Sequence, residues 1–405
     1  MAYCSKGRVC ITLKKPSQLK TEVDVAAKEN FDFAEALESV YPLLEIVFSY
    51  LDYNDLQTAA LVKKSWQVTA SRILEKRNDV SWITVFRKKR QSYVHYSKNY
   101  LYNNISLGII LFNYRAVSLS DCFCCHEDVS SRKIKFSDFL ADQVVPSGTE
   151  YCVIGCPGVA SMFSKQVINK SSVPLFDGCF IPPIPNVRVS MFYCNPIHMR
   201  DDHIKPNERL KCLLLFCKID LEESVYDIFE HLLPERDFRS VAVGGGIIRR
   251  TVLFPHPPDC LKIRKCGTLC ITFAEDMYCE SAFDTSSVVI NGNNLSSEDF
   301  ENELLKFKNK IVIRSNSMAF RICCSAKMRK NHESRIFNKV FPLTPLLGLE
   351  AEGEIGWNCF NLPDSGDEFE GHKPKRAREG YPTVQHQWST VIVFVTWGHL
   401  LQNRV

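Results

Sequence analysis

Several groups of residues carry chemistry-bearing side chains at short spacing. Cys122, Cys124, Cys125 and His126 lie within CFCCH, where Cys122 and Cys125 form a C-x-x-C pair. Zinc takes four such ligands. The second pair would have to be Cys152 and Cys156, whose spacing is irregular, so the expectation is no metal and cysteines used as small apolar side chains. Cys323 and Cys324 follow Arg321 and precede Lys327, Arg329 and Lys330. Cations beside a thiol lower its pKa, which marks Cys324 as a candidate reactive thiol, with burial in a sheet as the alternative. Gly244, Gly245 and Gly246 follow an apolar run, but neither a further spaced glycine nor a Lys-Ser/Thr pair follows. A phosphate cradle needs one of these, so the triplet reads as a strand-end turn that uses positive φ. Glu352, Glu354, Asp364, Asp367 and Glu368 lack a histidine or serine arrangement that would make a hydrolase of them.

Two basic clusters stand apart. Arg87, Lys88, Lys89 and Arg90 read as a solvated charge run, with a nuclear-import signal as the alternative. Lys373, Lys375, Arg376 and Arg378 sit with a proline in a polar stretch, a pattern that suits nuclear import or a solvated face. Ser365, followed by acidic residues, has the form of a weak acidophilic-kinase site.

The elements that must position these groups follow from composition and period. A chain of 405 residues with 45% apolar and 24% charged residues has the composition of an ordinary globular protein of two or three domains. A net charge of +4 is nearly balanced and gives no argument for direct nucleic-acid binding. No apolar run reaches the length of a signal peptide or a membrane span. The expectation is therefore no membrane partner, a cytoplasmic and nuclear location, and 18 mostly reduced cysteines.

Residues 1–30 read as a mobile mixed-charge leader. Further on, short apolar runs at 107–112, 152–155, 213–217, 241–243, 269–273, 287–290, 311–313, 318–323 and 389–397 read as strands of a covered sheet. Three segments have helical period. In 222–233 the inner face is Val225, Ile228, Phe229 and Leu232. In 296–308 it is Phe300, Leu304 and Phe307, with Ser296 and Asp299 in capping-box positions. In 333–341 it is Ile336, Phe337, Val340 and Phe341. Residues 364–381 are polar throughout and read as a flexible surface loop.

The stretch from Tyr41 to Trp66 is the most informative. Leu44, Val47, Phe48 and Leu51 form one helical face, Asn54 and Asp55 suit the start of a second helix, and Val62, Trp66, Ala70 and Ile73 continue into a third. Three helices this small cannot bury all their apolar surface alone. In residue order, Pro42, Glu45, the run Val47 to Leu51, Asp55-Leu56 and Val62 to Trp66 resemble an F-box; Tyr41 and Lys63 depart from that pattern. The resemblance implies docking to the adaptor Skp1, and through it to a cullin, by Pro42, Ile46, Val47, Phe48, Leu51 and Leu56, with Trp66 holding the helices together.

A second resemblance lies nearer the C-terminus. Phe341, Pro342, Pro345, Gly348, Gly353, Glu354, Ile355 and Gly356, with a late strand at 390–396, are similar to the C-terminal half of a FIST domain. It implies a buried polar contact for Glu354 and admits a small-ligand pocket at Gly244 to Gly246. The stretch 325–327 and the loop 364–381 depart from the pattern.

The expected fold is α+β, or mixed α/β: a small three-helix F-box followed by a large two-part mixed-sheet FIST-like domain. The boundaries are a leader (1–30), the F-box and connector (31–90), and FIST-like halves at 91–240 and 241–405. The expected function is that of a substrate-recognition subunit of an SCF ubiquitin ligase, non-catalytic in itself and without a cofactor, which presents protein substrates for ubiquitination and proteasomal degradation. The alternative is a metabolite-sensing module with the F-box as a regulatory arm.

Overall fold

The computed structural model describes residues 10–11, 41–51, 53–88, 91–97, 104–116, 122–125, 132–145, 148–163, 173–194, 203–217, 225–233, 240–248, 250–254, 268–279, 282–328, 330–360 and 383–401. After a short strand, β1 (Cys10–Ile11), come three helices, α1 (Tyr41–Ser49), α2 (Tyr53–Ala60) and α3 (Lys64–Lys76). Leu44 and Phe48 of α1, Leu56 and Ala59 of α2, and Ala70 and Ile73 of α3 make a buried cluster, with Leu51, Ala60, Trp66 and Leu74 against it. Trp66 meets Phe48 edge to face, with ring centroids 5.2 Å apart. A helix leaves its last carbonyls without intrahelical partners. Here buried Arg77 supplies them, donating to the backbone oxygens of Ser49 and Leu51 at 2.8 Å each.

The chain continues through β2 (Ser81–Lys88), β3 (Gln91–Tyr96), β4 (Leu107–Asn113), β5 (Cys122–Cys125), β6 (Arg132–Lys135) and α4 (Phe136–Phe139), which runs into a π-helical turn at 140–144. Next are β7 (Tyr151–Cys156), β8 (Val173–Ile181), β9 (Val187–Cys194), β10 (Glu208–Cys217), α5 (Val225–Leu232), β11 (Ala242–Ile247), β12 (Arg250–Phe254) and β13 (Thr268–Asp276). The last elements are β14 (Phe283–Asn291), α6 (Ser297–Asn309), β15 (Arg314–Cys324), α7 (Lys330–Val340), β16 (Leu346–Ala351), β17 (Glu354–Gly356), β18 (Gln385–His386) and β19 (Ser389–Leu400).

The strands form sheets of order β12-β7-β4-β8-β2-β3, β18-β17-β11-β10-β13-β9 and β14-β19-β15-β16, with a small sheet β1-β5-β6. The fold is thus mixed α and β. Residues 81–88, which the sequence marks as a buried strand or turn after the helices, are an interior strand of the first sheet.

The three larger sheets repeat one topology. Each is built on a strand, a second strand, a helix, a third strand parallel to the second, and a fourth strand. The fourth lies antiparallel between the second and the first. The members are β2, β4, β7 and β8; β9, β10, β11 and β13; and β14, β15, β16 and β19. At one matching register position a small residue faces a buried phenylalanine in all three: Gly108 and Phe180, Cys212 and Phe273, Ala319 and Phe394.

The units also cover one another. The segment after each third strand pairs antiparallel with the third strand of another unit. β12 of the second unit lies on β7 of the first, and β17 of the third lies on β11 of the second. Val159 and Met162 of the first bridge to Leu349 and Leu346 in β16 of the third. Unsatisfied edges invite foreign strands, and here the covering is mutual.

Alternation sorts the side chains between cores. Ile109 and Leu111 face a large central core shared by all three sheets, while Ile110 and Phe112 face Phe136, Phe139 and Leu140 on the other side. α6 and α7 cover the far face of the third sheet through Phe300, Leu304, Phe307, Ile336, Phe337 and Val340, and the predicted inner face of α5 is buried as well. Ser296 caps α6, its Oγ accepting from the Asp299 amide at 3.0 Å. Residues 311–313, expected as a strand, are irregular.

The glycine triplet is not a turn. Gly244, Gly245 and Gly246 are interior residues of β11, hydrogen-bonded to β10 on one side and β17 on the other. Their backbone is occupied by the ladder and does not cradle a ligand. Glycine is needed because the third unit packs against this strand: a Cβ on Gly246 would stand 2.6 Å from that of Ala351.

Among the described residues no helix is long and apolar enough to cross a membrane.

Candidate partner-binding face and buried polar seam

α1 is apolar on two sides. Its inner stripe is Leu44, Phe48 and Leu51; its outer stripe, offset by the same helical spacing, is Leu43, Ile46, Val47 and Tyr50. Ile46 is 55% exposed and Tyr50 76%, and Leu61 in the turn before α3 is 87% exposed. A module this small that leaves large apolar side chains in solvent presents a contact surface.

The sequence expectation needs correction at two positions. Phe48 and Leu56, expected to meet a partner, are 2% and 0% exposed and belong to the helices' own core. They fill its centre together with Leu44 and Ile73. Val47 and Ile46 do face outward, and Leu51 is half-buried. Pro42 occupies the second position of α1, and its side chain lies outside the described residues. Lys76 ties α3 back to α1 by donating to Glu45 Oε1 at 2.5 Å, which holds that carboxyl below its usual range.

A polar seam lies at the C-terminal ends of the parallel strands β15 and β16. Arg321, 1% exposed, donates from Nε and Nη2 to Glu333 Oε2 at 3.0 and 2.6 Å. Lys327 pairs with Glu333 Oε1 at 2.8 Å and donates to Thr390 Oγ1 at 2.8 Å. Burial acts to raise the Glu333 carboxyl, but Arg321 and Lys327 outweigh it and hold it below the usual range. Lys330 pairs with Glu350 at 2.8 Å.

The first unit is stitched onto this seam. The Glu350 amide donates to Gly158 O at 2.9 Å, Ser334 Oγ to Ala160 O at 2.5 Å, and the Gly348 amide to Ser161 Oγ at 2.9 Å. Behind the stitch, Asp177 is fully buried. Burial pushes its carboxyl up to about 6 against the opposing pull of hydrogen bonds from Ser161 and Thr84.

Burial holds the thiols here in their protonated form. Burial pushes Cys323 up to about 11 and Cys152 up to about 12, and raises Cys156 as well. Cys324 lies where the alternative reading puts it, buried at the end of β15. Burial raises its thiol, Glu354 adds to the rise, and the neighbouring Lys327 is engaged by Glu333. Nor do Cys152 and Cys156 suit zinc, since both lie in the central core. Among the described residues no group of metal-ligating side chains comes together. Cys122 to Cys125 form β5, with side chains outside the described residues, and His126 lies outside them altogether. Lys373, Lys375, Arg376, Arg378 and Ser365 also lie outside the described residues.

The residues of the second motif gather around the seam. Phe341 is buried after α7 and stacks against Phe337; Pro342 is exposed in the following turn. Pro345 O accepts from the Ala319 amide at 2.9 Å, where β15 and β16 begin their pairing. Gly348 lets the backbone of Ala160 approach β16. Gly353 O accepts from the Ile247 amide at 2.9 Å, and Glu354 and Gly356 bound β17. Glu354, fully buried, accepts from Ser389 Oγ at 2.8 Å, and burial raises its carboxyl.

Sequence reading missed Arg77, Asp177 and the role of Arg321. Two of them left a signal. Arg321 interrupts the apolar run from Met318 to Cys324, and Asp177 the run from Leu175 to Ile181. A lone charge inside a buried strand implies a partner across the sheet.

The sequence matches no known family model and no curated protein.

Proposed function

We propose that this chain is the substrate-recognition subunit of an SCF-type ubiquitin ligase. Its helical module docks the adaptor Skp1, and its sheet body holds the protein to be modified. The observation that carries the reading is the outer stripe of α1, with Leu43, Ile46, Val47 and Tyr50 in solvent on a module that already has its own core. The residue order of that stretch resembles an F-box, and the motif around the seam is similar to a FIST domain. The chain supplies no nucleophile in this scheme. It raises the local concentration of a substrate lysine near the charged ubiquitin carrier, so its contribution is proximity. The basic stretch from Lys373 to Arg378 accords with a cytoplasmic and nuclear site of action.

Co-purification of the full chain with Skp1 tests the reading. Wild type binds, and Ile46→Asp and Val47→Asp do not while keeping the wild-type melting temperature. Folded wild type that fails to bind, beside a control F-box protein that does, ends the proposal.

A further inference from the structure

The three repeated units serve as controls for one another. Their matched registers set Arg321, Cys323 and Thr390 of the third unit against Leu214, Phe216 and Leu269 of the second and Ile110, Phe112 and Phe176 of the first. Two units fill this place with buried apolar side chains, so the fold forms without charge there. In the third, Arg321 stands in the strand and draws in Lys327 and Glu333, all three buried. Buried ions seldom stabilise a fold better than apolar groups of the same volume. The exchange points to a task other than folding.

Two features of the seam call for an anion. One is charge. Among the described residues, Arg321, Lys327 and Lys330 meet two carboxylates, Glu333 and Glu350. Glu354, the next carboxyl, is taken up by Ser389, and burial raises it toward its neutral form. The other feature is an orphan donor. Nε and Nη2 of Arg321 are held by Glu333 and by the carbonyl of Lys330, whereas Nη1 is buried with no hydrogen-bond partner among the described residues. A guanidinium carries both Nη groups at one end, and Lys330 is the first residue of α7. Nη1 is therefore aimed at the start of α7. The first amides of a helix have no partner within it and favour negative charge.

We infer that the seam between Arg321 and the start of α7 binds a small monovalent anion, of the size of chloride or formate. One negative charge balances the excess cation, and Nη1 and the first amides of α7 supply its hydrogen bonds. Small size follows from burial. Arg321 is 1% exposed, and solvent reaches the group on the side of Lys330, whose side chain is 19% exposed. The same elements hold the first unit, α7 through Ser334 to Ala160 and β16 through the Glu350 amide to Gly158. Occupancy therefore tightens the joint between the first and third units, independently of adaptor docking by the helical module.

The test melts the full chain in sodium chloride, sodium formate and sodium gluconate at one ionic strength. Gluconate, too bulky for a group closed in by buried side chains, is the reference. Chloride and formate should each raise the melting temperature, by about 3 degrees for a hundredfold rise in concentration above the dissociation constant. Arg321→Leu places there the residue type that the second unit carries at Leu214 and leaves Glu333 to Lys327. It should fold and lose the dependence on chloride and formate. Chloride NMR reads binding on the wild type directly: the line broadens with the chain and sharpens when formate displaces chloride. That measurement keeps the inference testable if the variant does not fold. Equal melting in all three salts, without broadening that formate reverses, overturns the inference, and Nη1 then takes water. An anion effect that Arg321→Leu retains overturns it as well, because binding then lies on surface cations.

Discussion

Gly246 and Ala351 face each other across the packed second and third units, with room for a hydrogen and none for a methyl group: a Cβ on Gly246 would lie 2.6 Å from that of Ala351. Gly246→Ala should therefore destabilise the sheet body by about 1–3 kcal/mol, the usual cost of forcing a methyl group into a filled core. Urea unfolding followed by near-ultraviolet circular dichroism measures it. An unchanged midpoint would mean that the two units do not pack this closely.

Arg77 holds the end of α1 by its carbonyls. Arg77→Ala should leave those oxygens without a donor, cost about 2–3 kcal/mol, and speed amide exchange in α1. Because the outer stripe of α1 then loses its fixed orientation, adaptor affinity should fall as well. Arg77→Lys, with one donor head in place of a fork, should recover part of the loss.

Asp177 makes stability depend on pH. Its carboxyl is raised to about 6 in the folded chain, whereas the unfolded value is about 3.9. The protonated form is the one the fold favours. Its contribution is full below the unfolded value and is lost as pH rises through about 6, which amounts to about 3 kcal/mol by neutral pH. Asp177→Asn should raise the melting temperature at pH 7.5 and leave it nearly unchanged at pH 4. Equal effects at both values would assign the carboxyl a purely steric role.

Glu333 is the carboxylate that Arg321 and Lys327 share. Glu333→Gln strands two buried cations and should cost about 3–5 kcal/mol. Glu350→Gln, at a pair that solvent partly reaches, should cost well under half as much. Guanidinium unfolding of the two variants orders them, and the reverse order would show that Glu350 carries the seam.

Ile46→Asp should leave the thermal midpoint within about a degree of wild type, because the residue lies outside the helical core, as surface changes usually do. Leu51→Asp should lower it, since Leu51 packs against that core. Calorimetry of the two separates a lost contact from a lost fold and decides which variant is a clean probe of adaptor binding.

The sequence carried the elements well where one face is buried. The inner faces of α5 and α6 and the capping of α6 follow from period and side-chain type, because burial sets the period directly. It carried α1 less well. A helix that is apolar on two sides gives no period to say which side is inward; the period groups Phe48 with Leu44 and Leu51, and the F-box resemblance places it outward. The glycines of β11 misled because the space they leave belongs to Ala351 and Val393, residues more than a hundred positions away. Threefold repetition is encoded in strand pairing and in one recurring phenylalanine, and neither shows as a repeated motif in the sequence.

The mutual covering of the units has a consequence for synthesis. β7 leaves the ribosome with its neighbour β12 about a hundred residues behind, and β11 waits about as long for β17. The first two units thus emerge with a bare strand that only a later unit can close. At a synthesis rate of about 5–20 residues per second, that strand stays open for roughly 5–20 seconds. A nascent chain of this design depends on chaperones through that interval, and a message truncated after the second unit yields a protein that is sticky as well as incomplete.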